Sequence, residues 1–475
     1  SFNMAPSAQQ LPLIEPTQKS LQCTTLSAVI HRSLKSKPLQ VSHADGTWVT
    51  FSNGQQILDS TCGAAVACLG YKNERVKAAM MAQIDRFSYC NSMFFGTEVG
   101  EELAQELVEG THGQMSKALV MCSGSEAMDA AMKMARQYYL ETAPKQPRRI
   151  NYIARHGSYH GTTLGALSIG GHVARRDMFE PMLPQNCHKV SACNEYRGRA
   201  KGQTQQAYVA QLAQELDDKF QELGPETVIA FVAEPVVGAT LGCVPAVPGY
   251  FEAMKDVCEK YGALLIFDEV MSGMGRCGSL HAWEQEGVVP DIQTLAKGLG
   301  GGYAPIAAIM INHRIAVALT TGTGAFSHGH TYQGHPVSCA AALEVQRIIK
   351  EEKLVDNVRD VGSYFGELLH KYLDEHQYVG NVRGKGLFWG VEFVADKATK
   401  SPFPRSMGVA NTVHEVGMRP EFGISLYPGV GTADGTLGDH VLLAPAYRTT
   451  REEAEVIAER TRDVIFQAFR EIPSS

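Results

Sequence analysis

The middle of the chain carries five short apolar runs that are continuous rather than alternating with polar residues. They read KALVMC (117–122), RRINYIA (148–154), VIAFVAE (228–234), ALLIFDE (263–269) and DIQTLA (291–296). Continuous runs of this length are typical of strands covered on both faces, as in a parallel sheet. Amphipathic helical stretches such as 205–223 and 249–261 lie between the runs. The alternation of strand and helix predicts an α/β domain.

The flanking segments have different patterns and divide the chain into three parts. Residues 1–60 show little periodicity at first and then short strands around Asp45-Gly46 and Asn53-Gly54, which are hairpin signals. The last part has long helical patterns and two short strands, GLFWGVEFV and HVLLAP. We therefore predict an N-terminal arm with short strands (1–60), a large α/β domain with a mainly parallel sheet (61–334) and a smaller C-terminal α+β domain (335–475).

Composition excludes several classes of function. The formal net charge of −7 over 475 residues provides no basic surface for nucleic acid or anionic lipid. Apolar stretches all fall short of the roughly 20 residues that a membrane helix needs. The 11 cysteines are scattered without CxxC pairs, which is typical of reduced thiols in a cytosolic protein. We expect a cytoplasmic protein without a metal site.

Small and aromatic residues follow the first two apolar runs, at the strand ends where parallel sheets bind ligands. Ser123-Gly124-Ser125 opens a helical stretch, and a helix N-terminus with free backbone N–H groups binds anions. A plain serine N-cap is the alternative. Tyr159 and His160 lie next to a glycine and would bring an aromatic face to a flat ligand; a ring that only packs is the alternative.

Two carboxylates and a lysine follow the other three runs. Glu234 and Asp268 each come after several apolar residues, where a buried carboxylate needs a cation. A carboxylate in the position of Asp268 can keep a pyridine nitrogen protonated, and a helix N-cap is the alternative. Lys297 stands among small and apolar residues. Burial would make its amine a neutral nucleophile suited to a Schiff base, whereas a surface-loop lysine is the other interpretation.

These residues together indicate one cofactor. Lys297 follows Asp268 by one βαβ step, so the two side chains are expected at neighbouring strand ends. An acid, a lysine, an anion cradle and a ring-stacking aromatic residue form the set that pyridoxal 5′-phosphate (PLP) requires.

Three segments resemble a known family. LLIFDEVMSGMGRCG, PDIQTLAKGLGGGYAPIAA and HGHTYQGHPVSCAAAL are similar to motifs of the class III PLP-dependent aminotransferases, the ω-aminotransferase group of fold type I. The resemblance runs from about Asp59 to Pro445. It implies the PLP-transferase fold type I, with a large domain around a mainly parallel central sheet and a smaller α+β C-terminal domain.

The resemblance also implies a role for each matched residue. Lys297 would form the Schiff base with PLP and move the proton, and Asp268 would bind the pyridinium nitrogen. Val270 and Tyr159 would pack on opposite faces of the ring. Thr331 would reach the phosphate of the neighbouring subunit's cofactor, so a homodimer is expected. The implied catalytic residues are Lys297 and Asp268, and the implied cofactor-binding residues are Ser123, Gly124, Ser125, Tyr159, His160, Glu234, Asp268, Val270, Lys297 and Thr331.

The segment DHVLLAPAYR (439–448) departs from the family pattern. Relatives that bind an α-carboxylate, such as ornithine aminotransferases, carry an arginine at the place of Leu442. Arg448, or a mobile arginine, is then expected to bind the carboxylate of the acceptor. Upstream, FSYCNSMFF (87–95) resembles the family's pocket-forming segment, so Tyr89, Phe94 and Phe95 are expected to contact substrate; rings that belong to the core are the alternative.

The resulting hypothesis is a ping-pong aminotransferase. It would move an amino group from a terminal (ω) amine or amino acid to an oxo acid such as pyruvate. Other PLP chemistry on the same fold, by an aminomutase, racemase or decarboxylase, is the first alternative, and consumption of an oxo acid would distinguish transamination from it. A non-catalytic cofactor-binding or purely structural protein is the second alternative, and it predicts a colourless protein or a coloured one without turnover.

Overall fold

A computed structural model describes residues 27–472 and divides the chain into two compact units. Of the described residues, the first unit comprises 27–43 and 50–55, and the second comprises 44–49 and 56–472. Residues 1–26 of the predicted arm and residues 473–475 of the predicted small domain lie outside the described residues. In the first unit, the Ser52 N–H donates to the Gln40 carbonyl at 2.8 Å. The boundary between the units falls within strands β1 (Val41–Asp45) and β2 (Trp48–Phe51).

The central sheet of the second unit has seven strands within residues 27–472, in the order β4-β12-β11-β10-β7-β5-β6. Its strands are β4 (Lys117–Met121), β5 (Asn151–Arg155), β6 (Cys187–Val190), β7 (Val228–Ala233), β10 (Leu264–Asp268), β11 (Ile292–Leu295) and β12 (Ala307–Ile311). All five predicted runs form strands of this sheet. The predicted fold class, α/β with a mainly parallel sheet, is confirmed.

Strand β12 is antiparallel to both of its neighbours, pairing Ile292 with Ile311 and Ala307 with Met121. The connection from β11 to β12 is short (296–306) and contains the lysine and its glycines. A parallel partner would need a crossover of a dozen or more residues. The short connection therefore favours an antiparallel return, which the sequence pattern did not predict.

Helices cover both faces of this sheet, as the continuous apolar strands require. On one face Ile266 and Ile292 pack with α3 (Gly124–Glu141), α4 (Leu164–Ile169) and α10 (His313–Thr321). On the other face Leu265 and Phe267 pack with α7 (Gln205–Leu223) and α8 (Tyr250–Lys260). Neighbouring residues of β10 thus point into the apolar clusters on opposite faces of the sheet, and helices pack against both faces of this strand.

Most of a separate apolar core lies in the C-terminal part, and Leu58, Cys68, Leu69 and Val76 also belong to it. In the described chain, an antiparallel sheet runs in the order β13 (Val379–Lys385), β14 (Phe388–Phe393), β17 (Asp439–Leu443) and β16 (Tyr427–Val430). Phe365 of α12 (Leu354–Leu373) and Ile457 of α14 (Arg451–Glu471) pack against Val391 and Val441 of this sheet. This core has the predicted α+β character, and the boundary between residues 334 and 335 stays a prediction.

Shorter elements complete the fold. The remaining strands are β3 (Gln56–Asp59), β8 (Val236–Val237), β9 (Val244–Pro245) and β15 (Ile424–Ser425). Further α-helices are α1 (Glu74–Arg86), α2 (Glu98–Glu109), α5 (Val173–Arg176), α6 (Glu195–Gly198), α9 (Trp283–Glu286), α11 (Pro336–Glu351) and α13 (Val409–Gly417). Across residues 27–472, every helix is too short or too polar to cross a membrane.

Candidate active site

The carboxyl ends of the parallel strands surround a cavity of ≈ 260 Å³. It is lined by nine of the residues singled out from the sequence, namely Ser123, Gly124, Ser125, Tyr159, His160, Glu234, Asp268, Val270 and Lys297. They come from five different strand ends and the loops that follow them. The structure therefore brings the proposed cofactor-binding residues together, apart from Thr331.

Lys297 enters the cavity directly after β11. Its backbone has a φ of +47°, in the left-handed region that non-glycine residues rarely adopt. Burial lowers the pKa of the Lys297 amine, and the nearby Asp268 and Glu234 carboxylates oppose that shift. Burial dominates, so the amine loses its proton at lower pH than an exposed lysine does.

Asp268 ends β10 and is buried beneath the cavity, where three donors surround its carboxylate. His160 Nδ1 lies 2.8 Å from one carboxylate oxygen. The Val270 N–H at 3.0 Å and the Thr294 hydroxyl at 3.2 Å donate to the other. Because an ionised carboxylate only accepts, the His160 proton belongs on Nδ1 in this contact. His160 Nε2 is buried and makes no hydrogen bond to the described residues.

Thr294 is a contact that sequence reasoning missed. Its position in β11 pairs with Asp268 of β10 in the parallel register. A register of this kind is set by strand pairing over the whole sheet. The hydroxyl of Thr294, within the run DIQTLA, was the signal available in the sequence.

Glu234 follows β7 and is buried on the same side of the cavity. Its carboxylate accepts from the Tyr159 N–H at 3.1 Å and from the Gly238 N–H at 3.3 Å. Burial raises the pKa of the Glu234 carboxyl; His160 opposes this shift and Asp268 adds to it. Arg155, also buried, donates to the backbone carbonyl of Glu234. Glu234 therefore fixes the loop that carries Tyr159.

The N-terminus of α3 forms a close-packed cradle. Ser123 is its N-cap, accepting from the Glu126 N–H at 3.3 Å, so the structure gives this hydroxyl the capping role. Ser125 Oγ instead accepts from the Thr162 N–H at 3.0 Å, across the cavity wall. A Cβ at Gly124 would lie 3.0 Å from a Val270 methyl group, so the backbone is exposed to the cavity where a side chain would not fit.

These features fit PLP. The N–H groups at the start of an 18-residue helix suit a phosphate. The buried Asp268 suits a pyridinium nitrogen, and Tyr159 and Val270 suit the faces of its ring. The amine of Lys297 opens into the same cavity. Each part of the cofactor thus meets the chemistry it requires.

Five predicted residues lie outside this cavity lining. Tyr89, Phe94, Phe95 and Thr331 are exposed. Arg448 is paired with Glu352, and its guanidinium nitrogens lie 2.6 and 2.7 Å from the two carboxylate oxygens. The structure of one chain does not bring these residues into contact with the cofactor cradle, and their roles stay predictions.

Residues from the glycine-rich connection complete the lining. The cavity also contacts Val66, Cys122, Gly161, Met271, Ala296, Gly302, Ala304, Pro305 and Ile306. Most of these are small or apolar, so composition alone did not distinguish them from core residues. They form a largely apolar wall around the polar strand ends.

Comparison with known proteins identifies the family. The profile described as "Aminotransferase class-III" matches residues 29–465. An aminotransferase of Gibberella zeae is 64% identical over 92% of this chain and 86% of its own. Gamma aminobutyrate transaminase 3, chloroplastic, of Solanum lycopersicum is 34% identical over 88% of this chain and 79% of its own.

Solved structures agree with this assignment. An (S)-enantioselective omega-transaminase from Thermomicrobium roseum superposes with a TM-score of 0.85 at 33% identity, covering 97% of this chain and 96% of that one. A PLP-bound amine transaminase from an uncultivated Pseudomonas species superposes with a TM-score of 0.85 at 31% identity, covering 94% and 98%. The chain therefore belongs to the class III aminotransferases, PLP-dependent transaminases of fold type I.

Proposed function

We propose that this aminotransferase takes the amino group of a terminal amine or ω-amino acid and transfers it to an oxo acid such as pyruvate. The observation that carries the proposal is Leu442, which is 4% exposed and lies in one apolar cluster with Met271 of the cavity wall. A buried leucine provides no charged anchor for the α-carboxylate of a donor. Relatives that are gamma aminobutyrate and omega transaminases are consistent with such donors.

The chain's own residues would perform the proton chemistry. When bound, PLP supplies a protonated ring that withdraws electrons from the substrate carbon that loses its proton. The Lys297 amine, which burial keeps neutral at lower pH, would take that proton and return it. Asp268 would hold the ring proton, while His160 and Thr294 hold Asp268 in place.

Other residues would position the cofactor. The backbone at Gly124 and the Ser125 hydroxyl would bind its phosphate at the start of α3. Tyr159 and Val270 would contact the two faces of the ring. Glu234 would orient Tyr159 through the 3.1 Å hydrogen bond from the Tyr159 N–H.

A second copy of the chain would complete the site. The segment that precedes α2 exposes Met93 (80%), Phe94 (70%) and Phe95 (64%), and Tyr332 next to Thr331 is 59% exposed. Contiguous apolar exposure of this kind is typical of interaction surfaces. We propose a homodimer in which this surface is buried and Thr331 reaches the partner's phosphate. A cytoplasmic location is part of the proposal, and the ten free cysteines of the described residues support a reducing compartment.

Half-reactions of the PLP-loaded protein test the donor class. Butylamine, γ-aminobutyrate, glutamate and alanine are each mixed with the protein, and conversion to the pyridoxamine form is followed by visible absorbance. Terminal amines should convert the cofactor fastest, and Lys297→Ala should convert it with none. If glutamate or alanine reacts much faster than both terminal amines, the interpretation of Leu442 is wrong.

The second half-reaction tests the reaction class. Pyruvate should return the pyridoxamine form to the PLP form and be consumed in equal amount to the amine. A protein that processes the amine without consuming any oxo acid would instead be a mutase, racemase or decarboxylase.

A further inference from the structure

An arginine that neither the sequence motifs nor the proposed chemistry use lies against Tyr159, a residue of the cavity wall. Arg175 belongs to α5, and its guanidinium carbon lies 4.8 Å from the centroid of the Tyr159 ring. Tyr159 lines the cavity. Arg175 is half-buried, and its guanidinium lies over the ring of Tyr159.

Among residues 27–472, no acidic side chain pairs with this guanidinium. Across residues 27–472, Arg175 forms no ion pair and no side-chain hydrogen bond; its side-chain contact is with the Tyr159 ring. Attraction to a ring face is weak compared with a bidentate pair to a carboxylate. The side chain can therefore leave the ring when a carboxylate arrives.

Other arginines that enter the argument are already engaged. Arg155 is buried and donates to the Glu234 carbonyl. Arg176, next along the chain, donates to the carbonyls of Leu167 and Gly170 and pairs with Glu180. Arg448 is held by Glu352 through two hydrogen bonds. Within the described part of the chain, by contrast, the guanidinium N–H donors of Arg175 have no hydrogen-bond acceptor.

The backbone around Arg175 is held by contacts with residues 430–435. His172 Nε2 donates to the Val430 carbonyl at 3.1 Å, and the Ala174 N–H donates to the Gly435 carbonyl at 3.4 Å. A Cβ at Gly435 would lie 2.8 Å from a Val173 methyl group, so the two segments are in close contact. The loop with residues 430–435 thus holds α5, and only the Arg175 side chain needs to move.

We infer that Arg175 is the anchor for the carboxylate of the oxo-acid acceptor. This inference rests on the proposed function and names the group that would recognise pyruvate in place of the arginine missing at Leu442. The guanidinium binds the carboxylate through two parallel hydrogen bonds on the Tyr159 side of the cavity. An amine donor without a carboxylate leaves Arg175 on the ring, so one pocket accepts both substrates.

Equilibrium binding of pyruvate tests the role of Arg175 without requiring turnover. Pyruvate is titrated calorimetrically into the PLP-loaded wild type, Arg175→Gln and Arg175→Lys. We expect the glutamine variant to raise the Kd for pyruvate on the order of 10- to 100-fold, because a charge-assisted pair is lost. Arg175→Lys keeps the positive charge but loses the pair of parallel N–H donors of the guanidinium. Its Kd for pyruvate should therefore lie between those of the wild type and Arg175→Gln. An unchanged Kd in Arg175→Gln overturns the inference.

Two acceptors give the kinetic readout. Arg175→Gln should raise the KM for pyruvate by a similar factor and leave the reaction of butanal, which has no carboxylate, unchanged. Arg462→Gln is the matched control, since Arg462 also lies over a tyrosine ring, 5.0 Å from the centroid of Tyr372 in the C-terminal core region. Equal losses with pyruvate and butanal, or a rise in the pyruvate KM with Arg448→Gln in place of Arg175→Gln, overturn the inference.

Failure of the proposed function would give a different result from failure of the inference about Arg175. If no terminal amine converts the wild-type cofactor, the donor assignment is refuted. The calorimetric comparison of wild type and Arg175→Gln still decides whether Arg175 binds carboxylates.

Discussion

His160 Nδ1 lies 2.8 Å from the carboxylate of Asp268, and both side chains are buried below the cavity. His160 lies in the loop after β5 and Asp268 is the last residue of β10, so the sheet itself sets their distance. With the Val270 N–H and the Thr294 hydroxyl on the other oxygen, the orientation of the carboxylate is fixed before any ligand binds. Preorganised charge of this kind is the main electrostatic contribution of an enzyme.

Asp268→Asn should keep the cofactor bound and slow proton abstraction from the donor by a factor on the order of 10² to 10³, because an amide cannot keep the ring nitrogen charged. His160→Gln should slow it less, on the order of 10- to 100-fold, because the histidine acts through Asp268. Single-turnover rates with a terminal amine, at cofactor occupancy checked by absorbance, measure both. Near wild-type turnover in Asp268→Asn would mean that this carboxylate is only a cap.

The pH dependence of cofactor loading reports on Lys297. Burial lowers the pKa of this amine, and only the neutral amine attacks a carbonyl. The rate of PLP incorporation into the cofactor-free protein should therefore rise with pH and level off well below the pKa of an exposed lysine. Borohydride reduction and peptide mapping should then find the pyridoxyl group on Lys297. Finding it on Lys133 or Lys255 would refute the assignment.

A mixture of two inactive variants tests the role of Thr331 across the subunit boundary. Lys297→Ala and Thr331→Val chains are mixed and allowed to exchange subunits. In a heterodimer one site carries both defects and the other carries neither, so activity should recover partially. Pure Thr331→Val should bind PLP more weakly. A fully active monomer of the wild type would contradict the prediction.

His440 should make the protein sensitive to acid. It is buried, and burial together with the nearby Arg383 lowers the pKa of its ring to about 4, while Glu392 opposes the shift. Between pH 6.5 and 4 the unfolded chain gains this proton and the folded protein does not. The free energy of unfolding should therefore fall with falling pH, by up to about 3 kcal/mol from this residue.

Urea unfolding of wild type and His440→Gln at pH 7 and pH 5 measures this effect. The variant should lose less stability between the two pH values. His370→Gln, at an exposed histidine paired with Asp374, is the control and should behave as wild type does. Equal losses in all three proteins would show that His440 does not titrate as inferred.

The apolar runs predicted the strands well because a strand buried on both faces has no polar positions to obscure it. Ser125, Asp268 and Lys297 could be found because each interrupts an apolar environment at a strand end. The antiparallel direction of strand β12 could not be predicted, because the strand AAIMI follows a glycine-rich connection and its direction depends on the length of that connection. The contact between Arg175 and the Tyr159 ring could not be predicted either, because the two residues are separated in the sequence and such a contact leaves no sequence pattern.

The left-handed backbone of Lys297 implies a conflict between folding and catalysis. A φ of +47° costs a residue with a side chain on the order of 1–2 kcal/mol, whereas glycine adopts it freely. An inactive chain with Lys297→Gly should therefore withstand heat better than the cofactor-free wild type. Selection for thermostability alone would favour replacement of Lys297 by glycine. The lysine is therefore retained for catalysis and at a cost in stability.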